Sequence, residues 1–179
     1  GLIYQGYRSI YICPRCETTL SQSEVAEGYK DIKDLSCTVK FPLLPGEKIG
    51  KVTITEPTYL LAWTTTPWTL SANVLLAVNP DLEYVKTNID GKTVYLGADA
   101  AKRLNLHDVE SIDVKKLIGE HYDSLYDFES QKGIEHKIVE WDLVDAKSGS
   151  GVVHIAPGCG QEDYELGKKL DAPRAQVLA

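Results

Sequence analysis

The sequence contains no methionine, only four cysteines and no apolar run long enough to cross a bilayer. The cysteines stand at positions 13, 16, 37 and 159, too few and too scattered for the disulfide framework of a small secreted protein. The N-terminus also lacks the basic, apolar and cleavage-site succession of a signal peptide. We therefore expect a reducing, cytoplasmic environment and no membrane partner. Because methionine is absent and the first residue is Gly1, we expect a segment of a longer polypeptide, with a processed N-terminus as the alternative.

Basic residues are in the minority, with 19 Lys and Arg against 26 Asp and Glu and a formal net charge of -7. Proteins that bind nucleic acid on their own are usually basic, because the neutralisation of phosphates dominates their affinity. If this chain meets a nucleic acid, the rest of a larger protein is expected to supply most of the affinity. The length of 179 residues fits one domain, and we expect a monomer.

Short alternating segments separated by glycine and proline predict a mainly β fold with peripheral helices. The clearest signals are a hairpin around Asp90-Gly91, which suits a tight primed turn, and an apolar run over 74–78, which predicts a buried strand. Closely spaced strands favour a closed or nearly closed β-barrel. Further strands are expected at 23–29, 37–43, 109–117, 137–141 and 152–156, and helices at 98–104 and 161–170.

The polar segment 119–136 predicts a loop with one short element. His121 and His136 in this segment, and His107 before it, stand in polar surroundings. We expect all three histidines on the surface rather than in a ligand site.

Three consecutive threonines lie between two tryptophans in Trp63-Thr64-Thr65-Thr66-Pro67-Trp68-Thr69. β-branched and aromatic residues favour a strand up to about Thr65, and Pro67 ends it because it has no N–H for a ladder. A strand end that carries hydroxyls beside indole rings suits a small polar ligand with an apolar side. A threonine-rich edge strand packed by two core tryptophans is an equal alternative from this stretch alone.

A second informative stretch runs from a strand through a glycine turn into a helix, with His154 on the strand and Asp163 in the first helical turn. A carboxylate there could bind a ligand ammonium, or it could simply complement the helix dipole. Cys159, His154 and Asp163 also permit a thiol hydrolase. The turn lacks the Lys-Ser/Thr ending of a phosphate-binding loop, and its acidic residues would repel an anion.

The turn Cys13-Pro14-Arg15-Cys16 has the spacing of half a tetrahedral zinc site. Three interpretations remain open: a complete site within this chain, a half-site completed by sequence outside it, and a redox-active pair.

The two stretches together resemble the editing domain of the isoleucyl-tRNA synthetases. The first match is Trp63 to Leu70 with 77–80 after it, and the second runs from 149–157 through Gly160 to Asp163. The lead-in segments 1–4, 13–16, 19–21 and 39–42 are similar too, so the resemblance spans nearly the whole chain. The sister valyl and leucyl enzymes typically have Arg-Pro-Glu/Asp-Thr where this chain has 66–69, which favours the isoleucyl type.

The resemblance implies an inserted β-barrel editing domain over residues 21–170, with 1–20 and 171–179 as its connecting ribbon. It implies hydrolysis of valine wrongly esterified to tRNA(Ile), with valyl-adenylate as a further substrate. A synthetic site for isoleucine rejects valine by only one methylene, roughly 1–3 kcal/mol, so a second site must destroy the smaller product. The alternative is a non-catalytic module that binds the tRNA 3′ end or the adenylate. The implied partners are the 3′ end of tRNA(Ile) carrying valine and the remainder of the synthetase.

The resemblance also implies roles for particular residues. Asp163 would hold the α-ammonium of the valyl group, and His154 would limit the space for its side chain. No cofactor is expected for editing, and zinc would be held in the parent enzyme by Cys13, Cys16 and ligands outside this chain. Thr64, Thr65 and Thr66 would line the pocket and bind the terminal adenosine or the attacking water, and with His154 and Asp163 they are the expected catalytic residues. Trp68 and Thr69 would support that wall, and with Trp63 they are expected to contact the substrate. Two departures stand beside this set: Ser71, where proline is common, and Gly158-Cys159, which replaces an apolar-aromatic pair.

Overall fold

A computed structural model describes residues 1–6 and 10–175. Most of the regular structure in this part of the chain is β, with three short helices. The helices are α1 (Gln22–Gly28), α2 (Ala98–Arg103) and α3 (Gln161–Lys169). The strands are β1 (Cys37–Pro42), β2 (Lys48–Ile49), β3 (Val52–Thr53), β4 (Thr58–Thr64), β5 (Leu75–Val78), β6 (Tyr84–Ile89), β7 (Lys92–Gly97), β8 (Glu110–Ile112), β9 (Lys137–Glu140) and β10 (Val152–Ile155). Short 3-10 helices cover Pro67–Ala72, Val114–Lys116 and Glu129–Gln131.

The strands form a five-stranded sheet in the order β1-β4-β7-β6-β8 and a three-stranded sheet in the order β10-β5-β9, with β2 and β3 as a small separate hairpin. In the larger sheet β4 pairs antiparallel with β1 along nearly its whole length and parallel with β7 only from Thr58 to Leu60. In the smaller sheet β10 is antiparallel to β5, with His154 opposite Leu76. The carboxyl end of β4 extends beyond its pairing with β7, and there the Thr64 hydroxyl lies 3.4 Å from Nε2 of His154 on β10.

The expectation of a closed or nearly closed barrel is wrong. Among the described residues the two main sheets stay separate, joined along one side only by single-residue bridges, Leu43 to Tyr122 and His121 to Lys137. Closing the barrel needs a continuous ladder between the sheets. The short pairing of β7 with β4 leaves the end of β4 without a second partner strand, so the ladder stops there.

Several local predictions are confirmed. The hairpin of β6 and β7 turns at Asp90 and Gly91, which have φ of 56° and 75°, as a primed turn requires. All four residues of β5 are buried, as the apolar run predicted. Helices form near both predicted positions, at α2 and α3. Within the described residues no helix has the length and apolar character that spanning a membrane requires.

Two sequence predictions outside the sheets are wrong. Residues 23–29 were expected as a strand but lie mostly in α1, because Ser21 and Glu24 form a reciprocal capping box that satisfies the first turn. His136 was expected on the surface but is 7 % exposed, with Nδ1 3.2 Å from the Val74 carbonyl oxygen. His107 is exposed as expected, and His121 is half-buried between Glu47 and Glu135.

Candidate functional site

The threonine-rich motif lies where β4 ends and a 3-10 helix begins. The strand ends at Thr64, one residue earlier than expected, and Pro67 opens the 3-10 helix. Thr64 is buried, Thr66 is partly buried and Thr65 is exposed. The chain changes direction between these residues, so the three hydroxyl groups lie at different depths of one wall.

The hydrogen-bond directions in this wall follow from the donors available. Thr69 Oγ1 donates to the carbonyl oxygen of Thr66 at 2.7 Å, so it can only accept from His154 Nε2, 3.1 Å away. His154 therefore carries its proton on Nε2. Thr66 Oγ1 lies 3.2 Å from Thr69 Oγ1 and 3.3 Å from Thr64 Oγ1. A chain of donation from Thr64 to Thr66 to Thr69 satisfies these contacts. Thr69 Oγ1 then accepts from both Thr66 and His154, and Thr64 Oγ1 accepts from the Thr66 N–H and lies 3.4 Å from His154 Nε2, so Thr66 Oγ1 keeps the lone pair that a ligand can use.

His154 is a neutral residue at physiological pH. Its imidazole is 7 % exposed, and burial lowers its pKa to about 4. Nδ1 is buried and has no hydrogen-bond partner among the described residues. A weakly basic imidazole whose Nε2 proton is already donated is poorly suited to take a proton from water. His154 is better suited to form a rigid wall.

Asp163 lies in the first turn of α3 and lines the same cavity. One carboxylate oxygen, Oδ2, accepts from the Ala156 N–H at 2.9 Å, which fixes its orientation. Burial raises the pKa of Asp163, the Ala156 N–H partly opposes this, and the charge of Glu162 raises the pKa further. An ammonium ion bound there would relieve the unfavourable burial of the negative charge.

The cavity that joins these residues has a volume of about 480 Å³. Every residue expected at the site lines it: residues 63–66, 68 and 69 from the motif, and His154 and Asp163 from the second stretch. Trp63 is partly buried, whereas Trp68 is 58 % exposed at the edge. The structure therefore brings together two stretches about 90 residues apart in sequence, while their individual roles remain predictions.

Another part of the cavity lining was missed by the sequence analysis. Leu143, Asp145 and Ser148, in the loop between β9 and β10, also line the cavity. Asp145 Oδ1 accepts from the backbone N–H groups of Lys147 and Ser148, at 2.9 and 3.0 Å. The Asp-x-Lys-Ser pattern could have predicted this tight turn, but no local signal places the turn beside the threonines.

Cys159 lines the cavity but is poorly prepared for nucleophilic attack. Burial and the nearby charge of Asp163 raise the pKa of its thiol, whereas attack requires a thiolate. His154 directs its protonated nitrogen to Thr69 instead. These observations argue against the thiol-hydrolase interpretation.

Cys13 and Cys16 lie in an N-terminal turn closed by the Cys13 N–H and the Thr18 carbonyl, 2.9 Å apart. Neither cysteine forms a disulfide, and within residues 1–6 and 10–175 no three His, Cys, Asp or Glu side chains come together as a metal site. A half-site completed from outside this chain stays a prediction.

Comparison with known proteins adds a relationship that the geometry alone does not give. No protein-family model matches the sequence. The isoleucine–tRNA ligase of Thermoplasma acidophilum is 40% identical over 171 residues, covering 94% of this chain and 16% of that protein. The isoleucine–tRNA ligase of Clostridium novyi is 40% identical over 180 residues, covering 99% of this chain and 16% of that protein. The chain belongs to the isoleucyl-tRNA synthetase family. It spans about 16% of the length of these relatives.

Solved structures support the fold of this isoleucyl-tRNA synthetase segment. The crystal structure of GlLeuRS-CP1 has a TM-score of 0.60 at 15% identity, covering 76% of this chain and 60% of that one. The editing domain of the P. knowlesi cytosolic leucyl-tRNA synthetase has a TM-score of 0.53 at 13% identity, covering 65% and 53%. The fold is thus a mainly β domain with a few helices, similar to these synthetase domains.

One departure within the isoleucyl-tRNA synthetase segment has a structural account. Ser71, the first of the two departures noted in the sequence, donates its hydroxyl to the Trp68 carbonyl oxygen at 3.2 Å. Its own carbonyl oxygen accepts from the buried side chain of Gln131 at 2.7 Å. These two bonds hold the end of the 3-10 helix that a proline ring would otherwise restrain.

Proposed function

We propose that this chain is the hydrolytic editing domain of an isoleucyl-tRNA synthetase and cleaves the ester of valyl-tRNA(Ile). The observation that carries the proposal is the single cavity in which the threonine wall, His154 and Asp163 meet. An editing site needs a group that binds the α-ammonium of the amino acid, a wall that limits the size of its side chain and a surface that positions the attacking water. The cavity offers a candidate for each.

Asp163 is the proposed ligand for the α-ammonium group. Its carboxylate is already oriented by the Ala156 N–H, and it lines the cavity. A charge-assisted hydrogen bond from an ammonium to this carboxylate contributes about 1.5–3 kcal/mol. The bond would fix the ester carbonyl relative to the threonine wall.

The threonine hydroxyls are the proposed site for the attacking water. Because Thr66 donates its proton to Thr69 and accepts from Thr64, its remaining lone pair can accept a proton of a bound water. An aminoacyl ester is already activated, so positioning the water accounts for much of the required acceleration. No covalent intermediate on Cys159 is needed.

His154 is proposed to set the upper size limit of the side chain that enters. It is held rigidly by the threonine hydroxyls at 3.1 and 3.4 Å and is almost completely buried. A rigid wall can exclude isoleucine, which has one more methylene than valine. This is the reverse discrimination of the synthetic site and completes a double sieve.

The proposal includes the 3′ end of tRNA(Ile) and the remainder of the synthetase as partners, a monomeric state and a cytoplasmic location. It also includes a zinc half-site at Cys13 and Cys16. Because this chain is acidic, we expect the remainder of the synthetase to bind the body of the tRNA and to supply most of the affinity.

The test is deacylation of valyl- and isoleucyl-tRNA(Ile) by the full-length synthetase that contains this chain, alongside its Asp163→Asn variant. We expect the wild type to deacylate the valyl ester selectively. The rate of valyl-ester hydrolysis should be about 10- to 100-fold lower in the variant. Equal hydrolysis of both esters would contradict the sieve. Binding of a non-hydrolysable valyl-adenosine amide without any ester hydrolysis would favour the binding-module alternative.

A further inference from the structure

The loop over residues 142–151 forms the outer wall of the cavity. Asp145, Ser148 and Gly149 line it, and Gly149 packs against the indole of Trp63 so closely that an added Cβ would lie 3.0 Å from Cε3. Gly149 also has φ of 67°, which favours glycine. The position of this loop therefore determines how far the outer wall stands from the tryptophan and the threonines.

Both ends of the loop are anchored by buried groups. The side chain of Asn79 donates to the Val144 carbonyl oxygen at 2.9 Å, and the hydroxyl of Tyr84 donates to the Gly151 carbonyl oxygen at 2.5 Å. Asn79 is 8 % exposed and Tyr84 is 1 % exposed. These anchors belong to the core, but they do not reach the middle of the loop.

The middle of the loop is held from the surface by Arg103, the last residue of α2. Nη1 donates to the carbonyl oxygen of Ala146 at 2.9 Å, and Nη2 donates to the carbonyl oxygen of Gly149. Only a planar guanidinium group presents two donors that can bind two separate carbonyls in a fixed geometry. The residues between these carbonyls, 147 and 148, are exposed.

We propose that Arg103 is a positioning residue for the cavity. By binding two carbonyls three residues apart, it holds residues 145–149 against Trp63 and keeps the outer wall in the conformation that binds ligand. A second cavity of about 220 Å³ borders the same loop at Ala146 and Gly151, so the loop has space to shift when Arg103 no longer holds it. The identity of the ligand rests on the proposed function, whereas the holding of the loop does not.

Lys147 provides a test of the holding step that is independent of activity. It is an exposed trypsin site between the two bound carbonyls, and cleavage there requires local opening of the loop. In the full-length synthetase we expect Arg103→Met to be cleaved after Lys147 about ten times faster than the wild type. Arg103→Lys keeps the charge but not the two-carbonyl geometry, so it should behave more like Arg103→Met than like the wild type.

The matched control is Lys102→Met, on the same turn of α2. Lys102 pairs with Asp99 at 2.9 Å and has no described bond to the loop. Its substitution changes the charge equally and should leave cleavage at Lys147 within about twofold of the wild type. Unchanged cleavage in Arg103→Met, or equal acceleration in Lys102→Met, would overturn the proposal.

The ligand step is tested on the same four proteins. We expect KM for valyl-tRNA(Ile) deacylation to rise about three- to tenfold in Arg103→Met, with kcat within about twofold, because a smaller fraction of molecules is competent to bind. Faster cleavage at Lys147 without a change in KM would refute the positioning role. If the wild type neither deacylates the ester nor binds a valyl-adenosine amide, the proposed function fails. The proteolysis result then decides by itself whether Arg103 holds the loop.

Discussion

His154 should make the folded chain sensitive to acid in a defined pH range. Burial lowers its pKa from the usual 6.5 to about 4. Between these pH values the unfolded state binds a proton that the folded state does not, so the free energy of unfolding falls as the pH falls. The difference between the two pKa values corresponds to about 3 kcal/mol, of which about 2 kcal/mol is already lost at pH 5. This contribution is fully present above about pH 7.

The measurement is guanidinium unfolding at pH 7 and pH 5 for the wild type, His154→Gln and His107→Gln. Carboxylates and the buried His136 titrate in all three proteins, so their contributions cancel in the comparison. Between pH 7 and pH 5 we expect the free energy of unfolding of His154→Gln to fall by about 2 kcal/mol less than that of the wild type. His107→Gln, a substitution at an exposed position, should behave like the wild type. Losses that agree within about 0.5 kcal/mol between the wild type and His154→Gln would refute the assigned burial and neutrality of His154.

Three further substitutions test the site and its support. We expect His154→Ala to admit isoleucine, so isoleucyl-tRNA(Ile) deacylation should appear in the full-length synthetase, and unchanged discrimination would remove its sieve role. Tyr84→Phe leaves the buried Gly151 carbonyl without its donor and should cost about 1–3 kcal/mol in urea unfolding at constant m-value; a cost below about 0.5 kcal/mol would contradict this. An added Cβ in Gly167→Ala would lie 2.8 Å from Pro157 atoms and should move α3. We expect Gly167→Ala to be destabilised by about 1–3 kcal/mol and to bind a valyl-adenosine amide more weakly in calorimetry. Wild-type affinity and stability in this variant would contradict the expected movement of α3.

Much of the local structure could be predicted because its signals lie within a few residues. Asp90-Gly91 specifies its turn by backbone conformation alone, and Pro67 ends β4 because it cannot continue a ladder. The apolar run of β5 has no polar face, so it must be buried on both sides. Where two local signals competed, the outcome was harder to predict: the alternation over 23–29 suggested a strand, but the capping box at Ser21 and Glu24 produced a helix.

The unpredicted features depend on contacts between distant segments. The burial of His136 results from its packing against Tyr122, 5.2 Å between ring centroids, and from the Val74 carbonyl, neither of which its polar neighbours reveal. Arg103 meets the cavity loop 43 and 46 residues further along the chain. Whether a barrel closes is likewise decided by the length of strand pairing, which the sequence of a single strand does not specify.

The short pairing between β7 and β4 has a consequence for the evolution of this domain. Beyond Leu60, no described strand extends the ladder on that side of β4, and the cavity lies between the end of β4 and β10. A longer β7 would add ladder hydrogen bonds and stability, but it would displace Ser150 and Gly151, which pack against Gly97 at the end of β7 and line the cavity. Selection for stability and selection for the site therefore act in opposite directions on the same few backbone groups. Variants chosen only for heat resistance should tend to displace this part of the cavity wall.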